Sequence, residues 1–554
     1  MTTFETASFF EYICEVNNTN KMVKKYTTVL LFFLLFFNAK SNTYYVATDG
    51  DDLNNGTEPF PWRTIQKAAN TLIAGDTVFV KAGTYNERVI VQNSGTLNNN
   101  IVFSNFQDDI VIIDGNGISW GASWNGLFDL SYKNYITVIG FRIINADYGG
   151  IWADSSAFID IKNNYTYNTF SCGIGIWNSN NIVIDSNEVE LACNDGEQEC
   201  ISIANSSFCE VLKNNVHDNG SGIEGGEGID VKQGSHDVNI YKNNVHHLNA
   251  RLGIYADAWD TLTYNINIYQ NTVHHCKETG IAVASEAGGT IKDVNIFNNV
   301  LYYNKYGGIE LGSWSDIGFT GIKPLENINI INNTCYKNGE FDSGWGYGIV
   351  VDNPDAVNII IRNNLCSENS AQLSIQQVGA NWTVDHNLLF GENDASGTLY
   401  GSDSIVANPL FLDESIYDFH LTENSPAINN GNSLDAPTTD FDGNARPNNN
   451  GFDIGAFEYT ESSYVETYTK VNSFVKIYPN PIKDKVFISI NDKINKTYIV
   501  KIINSIGGAV KEIEVDKEMG EDIYINISDI NSGLYILNII DGSRIISSNK
   551  IVIN

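Results

Sequence analysis

The chain has 554 residues, enough for several domains or for one elongated one. Its 33 Lys and Arg against 66 Asp and Glu give a formal charge of −33 at pH 7. Such a surface repels phosphate backbones and argues against nucleic acid as a partner. Hydrophobic residues at 42% allow a sizeable core, and only 10 prolines beside abundant Asn, Gly, Ile and Val point to β-structure with tight turns.

At the N-terminus Lys24-Lys25 precede an apolar run from Val29 to Phe37, and Ala39-Lys40-Ser41 offers small residues for cleavage. The run is too short for a membrane span and reads as a signal peptide, with Met22 the expected start and 1–41 a removable leader. Cleavage there removes Cys14 and leaves seven of the eight cysteines, so at least one thiol is free or bonded between molecules. Cys193 and Cys200 are close enough in sequence to bridge a loop, and no zinc-ligand or CxxC spacing is present.

From about Phe158 to Phe390 the chain repeats itself. One element reads apolar-x-x-Asn-x-apolar, as in Ile184-Asp-Ser-Asn187-Glu-Val189, and its Asn recurs at 164, 187, 214, 243, 271, 299, 333, 363 and 387. The segments alternate with period two, the signature of strands, and intervals of 23–34 residues describe coils of a parallel β-helix. The asparagines are expected to stack inside as an amide ladder, a structural role. A second strand per coil carries a Gly-Ile signature, aligning Gly150-Ile, Gly173-Ile, Cys200-Ile, Gly228-Ile, Gly253-Ile, Gly280-Ile, Gly308-Ile and Gly348-Ile. Its second and fourth residues are apolar and point inward, so the third and fifth face outward.

Residues 44–85, with Trp62-Arg-Thr-Ile-Gln-Lys-Ala-Ala69 and Gly75-Asp-Thr-Val-Phe-Val, resemble the start of many secreted right-handed β-helix proteins, where that segment is a short capping helix. Ser425-Pro-Ala-Ile428, Asp442-Gly-Asn-Ala-Arg446 and Asp453-Ile-Gly-Ala-Phe-Glu458 resemble their closing motifs. The resemblance implies one right-handed parallel β-helix over 42–460, an all-β architecture that hosts lyases, hydrolases, epimerases and adhesins alike. After a linker at 461–474, Tyr478-Pro-Asn-Pro481 and Ser532-Gly-Leu-Tyr535 resemble landmarks of the C-terminal sorting domain of the Bacteroidota type IX secretion system. That resemblance implies a small β-sandwich over 475–554, the secretion machinery as partner, and release outside the cell or attachment to its surface.

Chemistry concentrates on a few coils. Outward positions of the Gly-Ile strands supply Trp152, Trp177, Asp230, Lys232, Tyr255, Asp257 and Glu310, and adjoining turns add Glu227, Arg251, Trp259 and Trp314. Aromatic rings among carboxylates suit a sugar-chain groove, where rings stack on pyranose faces and carboxyls move protons. Asp230 and Asp257 differ by one coil and two residues, so their Cα atoms should lie about 8 Å apart, near the roughly 6.5–9.5 Å carboxyl separation of inverting glycosidases. Asp230 is the expected acid, its pKa raised by Glu227, and Asp257 the expected base, held ionised by Lys232. Trp152, Trp177, Arg251, Tyr255, Trp259, Glu310 and Trp314 would bind the glycan.

Two other readings compete. GEGIDVK at 226–232 and ARLGIYADAWD at 250–260 are distantly similar to the calcium-and-lysine region of family 9 polysaccharide lyases, which implies Lys232 as a base and calcium as cofactor. The adjacent acid pair that family expects is Arg251-Leu252 here. A structural calcium held by Glu224, Glu227 and Asp260 is a further option, although the hydrolase needs no cofactor. A non-catalytic glycan-binding solenoid would not need one focused charge cluster. His217, His246 and His274, on successive coils and adjoined by His247 and His275, read as a polar corner ladder in preference to a metal site. A polysaccharide-cleaving monomer, hydrolase ahead of lyase, is the expectation.

Overall fold

A computed structural model describes residues 41–460, apart from 122–123, 221–224, 314–318, 340–345, 376–378, 380, 392–399 and 449, together with most of 475–553. Residues 1–40 of the leader, the 461–474 linker, Glu224 and Trp314 lie outside the described residues. The chain divides into two compact units, one ending at Thr460 and one beginning at Glu461.

The first unit is a solenoid of three parallel sheets with 13, 11 and 13 strands, each strand hydrogen-bonded to its counterpart one coil away. Ile and Val at inward positions stack coil on coil, for example Ile203, Val231, Ala256 and Val283, and all are fully buried. Burying one such Ile or Val contributes roughly 1.5–3 kcal/mol, so the repeated inward positions supply the cohesion that no single short coil could. Residues Ile65–Thr71 form the capping helix, with the Thr64 hydroxyl accepting from Lys67 N and the Glu87 carboxylate accepting from Ile65 N and Gln66 N. These contacts satisfy backbone donors that a helix start leaves unpaired.

The asparagine ladder runs inside. Asn187 Nδ2 donates to Asn214 Oδ1 and to Ile161 O, and its backbone N donates to the same Asn214 oxygen. This pattern continues through Asn243, Asn271, Asn299, Asn333, Asn364 and Asn387. One rung differs from the expectation: Asn364, not Asn363, holds the place. Asn363 has φ 57°, a left-handed conformation that Asn tolerates, and its side chain donates to Asn332 and Asn432. A second ladder, Asn304–Asn338–Asn369, lies elsewhere in the interior and was not foreseen. Cys193 and Cys200 are both free, with sulfurs 4.0 Å apart, and the other five cysteines of the described residues are also free and buried.

The second unit contains two antiparallel sheets. Val475–Tyr478, Lys485–Ile490 and Ile523–Asn526 form one, and Lys496–Asn504, Ala509–Lys517, Gly533–Asp541 and Arg544–Ile553 the other. They share an apolar core that includes Val486, Ile488, Val500, Leu537 and Ile551.

The three long sheets differ in one respect that positions the site. Strands of one 13-stranded sheet alternate in exposure, as in Thr263–Tyr269, where Ile266 and Ile268 are buried and Asn265 and Asn267 are not. The 11-stranded sheet is buried on both faces around Ile201–Ala204, Ile254–Ala258 and Ile281–Ser285. The outward charges of Asp230 and Asp257 therefore lie under cover, contrary to the open face expected of them.

Candidate active site

The register places the third residues of successive Gly-Ile strands in one column: Trp152, Gly175, Ser202, Asp230, Tyr255, Ala282 and Glu310. The fifth residues Trp177, Ala204 and Lys232 make a second column, and Asp257 stands beside Ala284. The coil alignment read from the sequence is thus the alignment of the strands. Gly175 is needed where it stands, because a Cβ there would lie 2.4 Å from the Trp152 ring.

Lys232 is the centre of the charge cluster. Its ammonium contacts Glu199 Oε1 and lies 3.5 Å from Asp230 Oδ2. Glu227 Oε1 accepts from Arg251 Nε at 2.9 Å, and the Tyr255 hydroxyl donates to Glu286 Oε1 at 2.6 Å. Asp230, Glu227, Glu199 and Asp257 are only 2–5% exposed. Asp230 Oδ1, Asp257 Oδ1 and Glu199 Oε2 are buried with no hydrogen-bond partner among the described residues. A buried oxygen left without a donor is costly, so these three atoms are where a substrate hydroxyl or water would be gained.

The electrostatics follow from burial. Asp230 is pushed well above the carboxylate range by burial, a push that Lys232 opposes and Asp257, Glu199 and Glu227 reinforce. Asp257 is also raised, by burial and then Glu286, with Lys232 again opposing. Burial lifts Glu227 to about 7 although Arg251 pulls the other way. Burial works against the Lys232 ammonium, but Glu199, Asp230 and Asp257 outweigh it and hold the lysine charged. Two expectations change accordingly. Asp230 is raised as foreseen, but by desolvation more than by Glu227. Asp257 is raised where Lys232 alone would lower it, because burial and Glu286 exceed the attraction of a lysine shared with Glu199 and Asp230.

The aromatic residues also need correction. Trp152 is fully buried and Tyr255 is 2% exposed, so neither can present a ring face to a sugar. Trp152 stacks under Trp177 with ring centroids 6.1 Å apart, leaving Trp177 partly exposed. Trp124 packs edge-on to Trp177 at 4.7 Å and is 50% exposed. It was missed because it lies outside the Gly-Ile strands. Trp259 is 38% exposed. Glu310 accepts from Thr279 Oγ1 at 2.8 Å, on the same column but away from Lys232's contacts. Glu199 was also missed, although it precedes Cys200-Ile201 just as Glu227 precedes Gly228-Ile229.

Among the described residues the cluster is not arranged as a calcium site. Its acids do not bring three ligand oxygens within 4.8 Å of one another among the described residues, and the Lys232 ammonium already supplies the central positive charge. Glu227 is engaged by Arg251, and Asp260 is exposed. A groove of about 710 Å³ opens on the outer face of a 13-stranded sheet, lined by Tyr135, Phe158, Phe208 and Asn239. Its lining also includes Asp160, Glu210 and Asp237, and it contains none of the cluster residues.

Comparison with known proteins agrees with this architecture. Residues 44–198 match the family described as Pel9A-like, right handed beta helix region, and residues 223–323 match one described as right handed beta helix region. The Pel9A-like match ends before Glu199, Asp230 and Asp257. The chain is 33% identical over 129 residues to the uncharacterized protein YwoF of Bacillus subtilis (strain 168), covering 22% of this chain and 28% of that protein. It is 28% identical over 174 residues to the pectate lyase PEL9 of Emericella nidulans, covering 28% of this chain and 41% of that protein. The chain thus spans well under half the length of these curated relatives. Among solved structures, pectate lyase Pel9A is 16% identical with a TM-score of 0.46, covering 76% of this chain and 97% of that one. Residues 476–554 match the secretion system C-terminal sorting domain. The chain is a secreted right-handed parallel β-helix protein with a C-terminal sorting domain that directs it to the cell exterior or surface.

Proposed function

We propose that the protein is a polysaccharide-degrading enzyme acting outside the cell, and that it hydrolyses a glycosidic bond. The observation that carries this reading is the buried set of Asp230, Asp257 and Glu199 around Lys232, with one unpartnered oxygen on each acid. Asp230, whose pKa burial raises, donates its proton to the glycosidic oxygen, and Lys232 at 3.5 Å stabilises the carboxylate that remains. Asp257 activates water from its ionised form. Its raised pKa places the loss of activity on the acid side above the usual carboxylate range. Trp124, Trp177 and Trp259 are exposed enough to hold sugar rings.

Elimination is the second reading, favoured by the partial identity to a pectate lyase. It would need Lys232 as a neutral base, whereas the Glu199 carboxylate in contact with that amine favours its charged form. A non-catalytic glycan-binding role leaves the buried acid cluster without a purpose that offsets its desolvation.

Incubating the purified protein with plant and algal polysaccharides separates the three. New reducing ends without near-ultraviolet absorbance support hydrolysis. An unsaturated, absorbing product overturns it in favour of elimination, and binding without either product leaves the solenoid non-catalytic.

A further inference from the structure

A separate cluster lies on a different sheet from Lys232. Strands Glu188–Glu190 and Asn215–His217 are neighbours in a 13-stranded sheet, with Glu188 opposite Asn215 and Glu190 opposite His217. The intervening Val189 and Val216 point into the core, so Glu188, Glu190 and His217 all project from the outer face. One ligand-type atom from each lies within 4.8 Å of the other two.

The hydrogen bonds around these side chains are those of an oriented ligand set. His217 Nδ1 lies 2.8 Å from Asp218 Oδ2; in the tautomer that donates from Nδ1 to this carboxylate, the Nε2 lone pair is free. That nitrogen faces Glu188 Oε1 at 3.2 Å. Two acceptors then face each other, an arrangement that requires a proton or a cation between them. Glu190 is fixed independently, its Oε2 accepting from the Tyr165 hydroxyl at 2.7 Å. The His217 side chain is 11% exposed and its ring is stacked flat on His246, with centroids 4.9 Å apart, so its direction is set by packing as well. A carboxylate behind the imidazole and a hydroxyl behind the carboxylate are the outer partners that hold metal ligands in place.

We propose that Glu188, Glu190 and His217 form a binding site for a divalent first-row transition metal of the zinc class. One imidazole nitrogen and two carboxylates suit such an ion, while calcium and magnesium select oxygen ligands alone. The Glu188 side chain is 49% exposed, which leaves the remaining coordination positions to water or to an external ligand. The site stands apart from the acid–lysine cluster, so its failure would leave the proposed hydrolysis untouched.

The test uses the full-length protein, zinc chloride alone and calorimetry at neutral pH. One zinc ion should bind, and His217→Gln and Glu190→Gln should each abolish that binding while the melting temperature of the metal-free protein stays near wild type. Tyr165→Phe keeps all three ligands and removes only the outer partner of Glu190, so it should weaken zinc by about 10- to 100-fold. With copper(II) in place of zinc, the electron paramagnetic resonance spectrum should show coupling to one imidazole nitrogen. Absence of zinc binding would overturn the proposal, since the cation between His217 and Glu188 would then be a proton. Zinc binding that survives both ligand variants, or copper coupling to two nitrogens, would overturn it by moving the metal to the histidines of neighbouring coils.

Discussion

Two outward columns of the solenoid show how differently the same repeat can be used. On the 13-stranded sheet that contains Thr263–Tyr269, one column reads Asn239, Asn267, Asn295 and Asn329, and each side-chain amide donates to the previous carbonyl oxygen at 2.8–2.9 Å. On the 11-stranded sheet the equivalent column reads Ser202, Asp230, Tyr255, Ala282 and Glu310. The asparagine column is uniform, partly exposed and self-satisfied. The other is irregular, buried in its central part and bordered by oxygens without partners. A column whose members satisfy each other is explained by stacking, whereas one that buries unmatched acids around a lysine costs stability and calls for a function.

The largest expected effect falls on the irregular column. Asp230→Asn keeps the shape and removes the transferable proton, so turnover should drop by roughly 10²–10⁴-fold while glycan binding persists in a pull-down on the same polymer. Full turnover in this variant would reduce the column to a buried polar network. The inner ladder sets the structural scale. Asn271→Ala strands the Asn243 donors, and also removes the bonds from Asn271 to Ile240 O and Asn299. It should cost on the order of 1–3 kcal/mol in denaturant unfolding of the solenoid, without altering the pH dependence of activity.

Smaller effects sharpen the contrast. Trp124→Ala removes an exposed ring packed on Trp177, and should weaken glycan binding by roughly 0.5–1.5 kcal/mol with little change in the chemical step. A large fall in turnover at saturating glycan would give Trp124 a more direct role. Asn267→Ala on the uniform outer column should change stability by less than about 0.5 kcal/mol, because solvent can replace the amide bonds it loses. A loss matching that of Asn271→Ala would show that exposure does not separate the two ladders.

Much of this contrast was legible in the sequence, because each coil repeats the same physical constraint. The Gly-Ile strands aligned Asp230 with Tyr255, and the spacing of Asn187, Asn214 and Asn243 located the inner ladder. The slip from Asn364 to Asn363 came from two adjacent asparagines, one inside and one in a left-handed turn. Alternation predicts which way a side chain points but not whether that face is covered. Burial was therefore the hidden quantity for Trp152, Tyr255, Asp230 and Asp257. It also raised the pKa of Asp257, which sequence spacing had placed beside a lysine. Glu199 and Trp124 stand in the segments that join the strands, where the strand alternation gives no direction for a side chain.

The pH–rate profile of Lys232→Met, with reducing ends and near-ultraviolet absorbance read together, tests the central claim most directly. Lys232 lowers the pKa of both Asp230 and Asp257, so its removal raises both. A hydrolase in which Asp257 must lose its proton should remain measurably active, make reducing ends alone, and have its acid-side limb moved to higher pH. Loss of all activity, from a wild-type enzyme that makes an absorbing product, would contradict the account by making Lys232 the base of an elimination.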